Sequence, residues 1–276
     1  MPSNAPRVPK AQQRDAARQQ MLSLRAQQEK SARRSRLIAI SGLVAALAIL
    51  AVVVVMILSN GKTPTAAPSL DAKEPLKGVT APATAIAGGG IPVGTAAAAG
   101  TTSPGAKATV AVYYDYMCPV CGDFEKANAA PLDALVKSGD ITLEYHPISI
   151  LDRLSQNTQY STRSAQAAGY IADADPTHFV AFHEAMYASQ PAENSAGLSD
   201  AEIGSIAVKA GVPKAVADKI ATDGKFTKWV AAVTAQSTLD GVSGTPTVMI
   251  NGKKTAADLN LLTAGPLEAA IKAAIG

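Results

Sequence analysis

Ala108-Thr109-Val110-Ala111-Val112-Tyr113-Tyr114-Asp115-Tyr116-Met117-Cys118-Pro119-Val120-Cys121 decides how this chain is read. Thr109–Tyr114 has the β-branched and aromatic enrichment of a buried strand. The two cysteines that follow are the only ones in 276 residues. Any intramolecular disulfide therefore joins Cys118 to Cys121. A structural staple normally closes a longer loop, because stabilisation grows with loop length. A gap of two residues is better read as a reactive dithiol. Pro119 suits the first turn of a helix, where a missing N–H costs nothing, so Cys118 stands at a helix N-terminus. Unpaired N–H groups and the helix dipole favour an anion there, and the thiolate is the species that attacks a disulfide. Cys118 is thus the expected exposed nucleophile. Cys121, one turn later and deeper, is the expected resolving cysteine.

Metal binding is the competing reading of a C-x-x-C pair. A closed zinc site usually needs four ligands, and the chain has no further cysteine. Its histidines are His146, His178 and His183, and the last two are five apart, a poor fit to one helix face. No metal site is expected. No organic cofactor is expected either, since the chain has no Gly-rich phosphate loop and no G-x-S-x-G.

Order is expected from about Ile86, with Ile91-Pro92-Val93 as a short edge strand. A helix from Cys118 to about Lys137 follows the first long strand. Gly139-Asp140 breaks the chain, and Ile141–His146 reads as the next strand. Residues 152–241 look helical, with candidate helices over Gln156–Ile171, Thr177–Ala188, Asp200–Ala210, Pro213–Thr222 and Lys225–Leu239. Ser199 and Glu202 form a capping-box pattern before the third of these. Thr247–Ile250, the turn Asn251-Gly252 and Lys253–Ala256 read as a hairpin, and Pro266–Ile275 as a closing helix.

Upstream, the composition changes. Leu37–Leu58 is an apolar run of 22 residues without a charge, roughly 33 Å long as a helix and long enough to cross a bilayer core. It exceeds the ~7–15-residue core of a signal peptide, and no good small-x-small cleavage site follows. An uncleaved transmembrane anchor is the preferred reading. Residues 1–36 carry nine basic and two acidic side chains, which keeps them cytoplasmic by the positive-inside rule and exports the rest. They lack aromatics for base stacking, so nucleic-acid binding is not expected. Ser59–Ala85, with 18 of 27 residues Ala, Gly, Pro, Ser or Thr, reads as a flexible linker. The chain is thus expected to be single-pass in the cell membrane, with its cysteine pair outside the cytoplasm, where disulfides persist.

The order strand, C-x-x-C helix, strand, helical block, hairpin, helix resembles the DsbA-like branch of the thioredoxin superfamily. Tyr113–Glu125 and Gly241–Thr247 carry the likeness, which covers about residues 86–276. The anchored, Ala-rich form is similar to exported actinobacterial members. The resemblance implies an α/β thioredoxin fold with an inserted helical domain, and a cis Thr245–Pro246 bond that places the Thr245 backbone where a substrate strand pairs with it. It also implies a protein thiol–disulfide oxidoreductase acting on cysteine-containing exported proteins, and a quinone-linked membrane partner of the DsbB or vitamin K epoxide reductase type. Many strongly oxidising members have histidine between the cysteines. Here Val120 offers no hydrogen bond or charge, and Asp123 and Glu125 oppose a very low thiol pKa, so an intermediate potential is expected. Asp115 either relays the Cys121 proton or orders its loop. Glu144 and His146 are read as structural. Tyr116, Met117, Phe124, Phe179, Phe182 and Met186 are read mostly as core, with some lining a substrate groove. The rival functions are a reductase or isomerase of the same fold, and a non-catalytic holdase for unfolded exported chains.

Overall fold

The computed structural model describes residues 70–220 and 223–276. The basic segment 1–36, the apolar run Leu37–Leu58 and the first part of the linker lie outside the described residues. Among those described, no helix is long and apolar enough to cross a membrane.

A five-stranded sheet organises the domain. It is built from β1 (Ile91–Val93), β2 (Ala108–Tyr114), β3 (Ile141–Pro147), β4 (Thr247–Ile250) and β5 (Lys253–Lys254), in the order β1-β3-β2-β4-β5. β2 pairs in parallel with β3, from Ala108 opposite Ile141 to Tyr114 opposite Pro147. A parallel pair needs a crossover, and α1 (Pro119–Lys137) supplies it. On its other side β2 pairs antiparallel with β4, with Tyr113 opposite Thr247. Central strands covered on both faces read as continuous apolar runs, and six of the seven β2 residues are buried. β4 and β5 are joined by Asn251 (φ 51°) and Gly252 (φ 72°), the pair of positive φ values that a tight hairpin of this kind requires. The Asn251 side chain also accepts the Thr109 N–H at 2.9 Å. The second hairpin strand is shorter than the expected Lys253–Ala256.

Between β3 and β4 the chain forms α2 (Tyr160–Ala174), α3 (Phe179–Ala188), α4 (Asp200–Lys209), α5 (Lys214–Ile220) and α6 (Thr227–Leu239); α7 (Pro266–Ile275) closes the chain. α2 starts four residues later than its pattern suggests. Gln156, Asn157 and Gln159 have left-handed backbones (φ 52°, 66° and 56°), which an α-helix excludes. The chain there makes turns instead, and Gln156 donates its side-chain amide to the Asn194 carbonyl. The expected capping box is present: Glu202 N–H donates to Ser199 Oγ, and Ser199 N–H to Glu202 Oε2 at 2.7 Å. Tyr116, Met117, Phe124, Phe179, Phe182 and Met186 are all fully buried core residues. Phe124 also lines a small cavity between the sheet, α1 and α3.

The later part of the expected linker is not a free tether. Pro75 and Pro82 are buried, and Leu76, Val79, Ala81 and Ala85 pack on the core. Asp173 at the end of α2 accepts the Ala83 N–H at 2.8 Å. Composition alone misses this, because scattered apolar residues without a period can still dock singly on a finished surface.

Candidate active site

β2 ends at Tyr114, and the next four residues carry the chain over the sheet edge to α1. Cys118 is the N-cap of that helix, extended at φ −77° and ψ 114°, with Pro119 at its first position. No side chain caps the helix; the Cys121 N–H donates to the Cys118 carbonyl at 3.0 Å, and the Val120 and Cys121 backbone favours the Cys118 thiolate. The two cysteines are unlinked. Cys118 was expected to be open, yet it is only 6% exposed, against 1% for Cys121. The Thr245 carbonyl explains the difference, since it closes over the sulfur and accepts the Cys118 thiol at 3.4 Å. Thr245–Pro246 is a cis peptide bond, and it brings the chain between α6 and β4 against the dithiol. Val120, 42% exposed, leaves an apolar side chain on the surface beside Cys118.

The two thiols differ sharply. Cys118 is lowered to about 6, chiefly by a hydrogen bond from the Cys121 thiol. Burial opposes this, while the Thr245 side chain and the backbone of Cys121 and Val120 add to it. Cys121 is pushed well up by burial and by the neighbouring Cys118. Such a pair has one thiol that ionises readily near neutral pH and one that holds its proton. Asp123 pairs on the surface with Lys126 at 3.3 Å. Glu125 turns inward to His183 at 3.4 Å. The Cys118 value agrees with the expectation that the thiol is not driven very low, although neither acid is among its chief causes.

Asp115 is completely buried. One of its oxygens accepts the Met117 N–H at 2.9 Å and the other the Leu151 N–H at 3.0 Å. Its carboxylate thereby ties the active-site loop to the chain leaving β3. Burial pushes its carboxyl up to about 6, against the pull of these two donors. With both oxygens engaged in holding the loop, it fits the ordering role rather than that of a proton relay. His146 is buried and stacks on Tyr113 with ring centroids 4.3 Å apart. Its Nε2 lies 3.4 Å from Glu144 Oε2, and Tyr113 donates to Asp240 at 3.1 Å. These residues brace the sheet beside the cis-proline loop.

Gln190 has no signal in the sequence. It follows α3, and its side-chain amide donates to the Tyr116 carbonyl at 3.0 Å and the Cys118 carbonyl at 2.8 Å. Gly122 makes room for it, because a Cβ there would overlap Gln190 Oε1. Tyr187 adds a bond from its hydroxyl to the Asp115 carbonyl at 3.3 Å. The inserted helices thus grip the cysteine loop from behind.

A protein-family model described as thioredoxin matches residues 96–272. The chain belongs to the thioredoxin family. Within it, the domain is similar to reduced DsbA from Mycobacterium tuberculosis, at 32% identity and a TM-score of 0.55, covering 68% of this chain and 92% of that one. It is also similar to reduced DsbG, a disulfide bond oxidoreductase from the same organism, at 32% identity and a TM-score of 0.55, covering 68% and 88%. MdbA, a thiol–disulfide oxidoreductase from Actinomyces oris, shares the fold at 24% identity and a TM-score of 0.57, covering 70% and 88%. Among curated proteins, the serine/threonine-protein kinase PknE of M. tuberculosis is 32% identical over 150 residues, which make up 52% of this chain. The chain spans 26% of that kinase, about a quarter of the length of the curated relatives it matches. The thioredoxin-fold region is therefore a DsbA-like thiol–disulfide oxidoreductase domain.

Proposed function

We propose that the protein is a membrane-anchored oxidase that forms disulfides in exported proteins. The observation that carries this reading is the asymmetry of the thiols: Cys118 is lowered to about 6 and Cys121 is raised. A low-pKa thiolate is a good leaving group, so a mixed disulfide at Cys118 breaks readily toward an oxidised client. A client thiolate attacks Cys118 Sγ of the oxidised pair and Cys121 leaves. A second client thiolate then attacks the client sulfur, forms the client disulfide and releases Cys118. The run Leu37–Leu58, flanked by Arg33, Arg34 and Arg36, supports a single-pass anchor with the cysteines outside the cytoplasm. Turnover requires an oxidant, and a quinone-linked membrane protein of the DsbB or vitamin K epoxide reductase type suits an anchored enzyme.

The equilibrium reduction potential of Cys118–Cys121 against glutathione tests the direction of electron flow. A value near or above about −150 mV, toward the DsbA end of the scale, supports the oxidase. A value near about −270 mV, the thioredoxin end, assigns the protein to the reductase or isomerase class instead. Cys118→Ser separates both from a holdase: it abolishes exchange, and a protein that still suppresses client aggregation unchanged acts by binding.

A further inference from the structure

Behind the redox pair, a cavity of about 40 Å3 lies between the sheet, α1 and α3, with Cys121, Glu125, Tyr114 and His183 among its lining residues. At roughly 10–15 Å3 per molecule, that volume admits water. Tyr114 lines the cavity, and its buried hydroxyl lies beside that of Tyr116, so the lining brings polar groups that water can bond.

His183 is 2% exposed and comes from the inserted helices. Its Nε2 lies 3.4 Å from Glu125 Oε2, and its Nδ1 lies 3.1 Å from the Tyr116 hydroxyl. Glu125 is one turn beyond Cys121 on α1, so the two side chains share a helix face. The Glu125 side chain keeps 15% exposure, which opens the buried imidazole to solvent through one carboxylate. Asp115 is not among the residues that line this cavity, and its oxygens hold the backbone of the loop.

Resting on the oxidoreductase reading above, we propose that His183 and Glu125 form the proton relay that serves Cys121. When a client thiolate attacks Cys118 Sγ, the client–Cys118 bond forms, the Cys118–Cys121 bond breaks, and the electron pair goes to Cys121 Sγ. Burial disfavours that anion. The imidazolium of His183 passes a proton through cavity water to Cys121, and solvent restores it through Glu125. In the reverse exchange Cys121 returns its proton to the neutral imidazole before it attacks the mixed disulfide. The client dithiol loses two electrons and the cysteine pair gains them.

The other groups around His183 leave it this task. Tyr114 on β2, Tyr145 on β3, Tyr116 on the loop and Tyr187 on α3 are all pushed far up by burial and stay neutral. On α3, Glu184 is raised by burial and by Glu125, with Asp133 and Lys137 of α1 also acting on it. All three of these stay in place in the variants below.

The test is single-turnover oxidation of a dithiol peptide by the oxidised full-length protein, followed by stopped flow from pH 5 to 9. Starting from the disulfide removes the titration of Cys118. The wild-type rate should be bell-shaped, because it needs both a client thiolate and a protonated relay. His183→Phe should slow the step by about a hundred-fold at pH 7 and leave only the monotonic rise of the client thiol. Glu125→Gln, at the open side of the cavity, carries the test if the His183 variant does not fold; it removes the carboxylate 3.4 Å from His183 Nε2 and should slow the same step at pH 7 by about ten-fold or more. Folded variants that keep the wild-type profile overturn the relay while the oxidoreductase stands. A wild-type protein that oxidises no dithiol at any pH overturns both.

Discussion

Gly122→Ala looks like a stabilising change and should not be one. Replacing a helical glycine by alanine ordinarily gains about 1 kcal/mol. At this position the new methyl overlaps Gln190 Oε1, with Gln190 Cδ only 3.2 Å away. The amide can swing aside, but it then gives up its bonds to the Tyr116 and Cys118 carbonyls. At about 1 kcal/mol each, two lost bonds cost about 2 kcal/mol and turn the gain into a net loss of about 1 kcal/mol. Gln190→Ala alone loses the same bonds and costs about 2 kcal/mol. In the double variant the methyl meets nothing, so the helix gain returns and the total loss is again about 1 kcal/mol. The singles predict about 3 kcal/mol if independent, so the coupling is about 2 kcal/mol. Urea unfolding of the reduced full-length protein and the three variants measures it. If Gly122→Ala raises stability by about 1 kcal/mol, or the coupling lies within about 0.5 kcal/mol of zero, Gln190 does not hold the cysteine loop as described.

Two further outcomes follow from the buried titrating groups. Asp115, raised to about 6, binds its proton more tightly folded than unfolded, where a carboxyl titrates near 3.9. Its contribution is therefore fully present below about pH 4 and lost by about pH 6, a fall on the order of 2–3 kcal/mol; chemical denaturation across that window should show the slope, and Asp115→Asn should flatten it. Cys118 alkylation by iodoacetamide should titrate with a midpoint near about 6, the value its surroundings set, while Cys121 stays unmodified in the folded protein at neutral pH. A Cys118 midpoint near 8.5, the value of a free thiol, refutes the thiolate stabilisation argued from the helix start and Cys121.

What the sequence disclosed was local. The strand Thr109–Tyr114, the helix behind Pro119, the Ser199–Glu202 cap and the Asn251-Gly252 turn are each set by neighbours within a few positions, and each appears where it was expected. The two cysteines and Thr245–Pro246 were legible because a motif announced them. Gln190, His183 and Glu125 were not, since their meaning arises only when α3 packs against α1. Glu125 was read only as an acid opposing a very low thiol pKa, and nothing in its neighbours revealed that it faces a histidine. Gln156–Gln159 misled in the opposite way: the residues are acceptable in a helix, but the turns at the start of the insertion demand positive φ. Residues 75–85 were taken for linker because docking onto a surface needs no periodicity.

The placement of β2 at the centre of the sheet also sets the order in which the site can come into being. Val110 meets Leu143 about 33 positions away, but it meets Ile250 only about 140 positions away. Each doubling of a loop costs roughly 0.6 kcal/mol more in closure entropy, so the second pairing is about 1.2 kcal/mol harder to nucleate than the first. Pairings of such separation form late. The β2–α1–β3 unit that carries both cysteines can therefore collapse before Thr245 and Gln190 arrive. A chain at that stage has its dithiol but neither the loop that closes over Cys118 nor the clamp behind it. Redox competence is then a property of the finished topology, and it doubles as a report that the long insertion has folded.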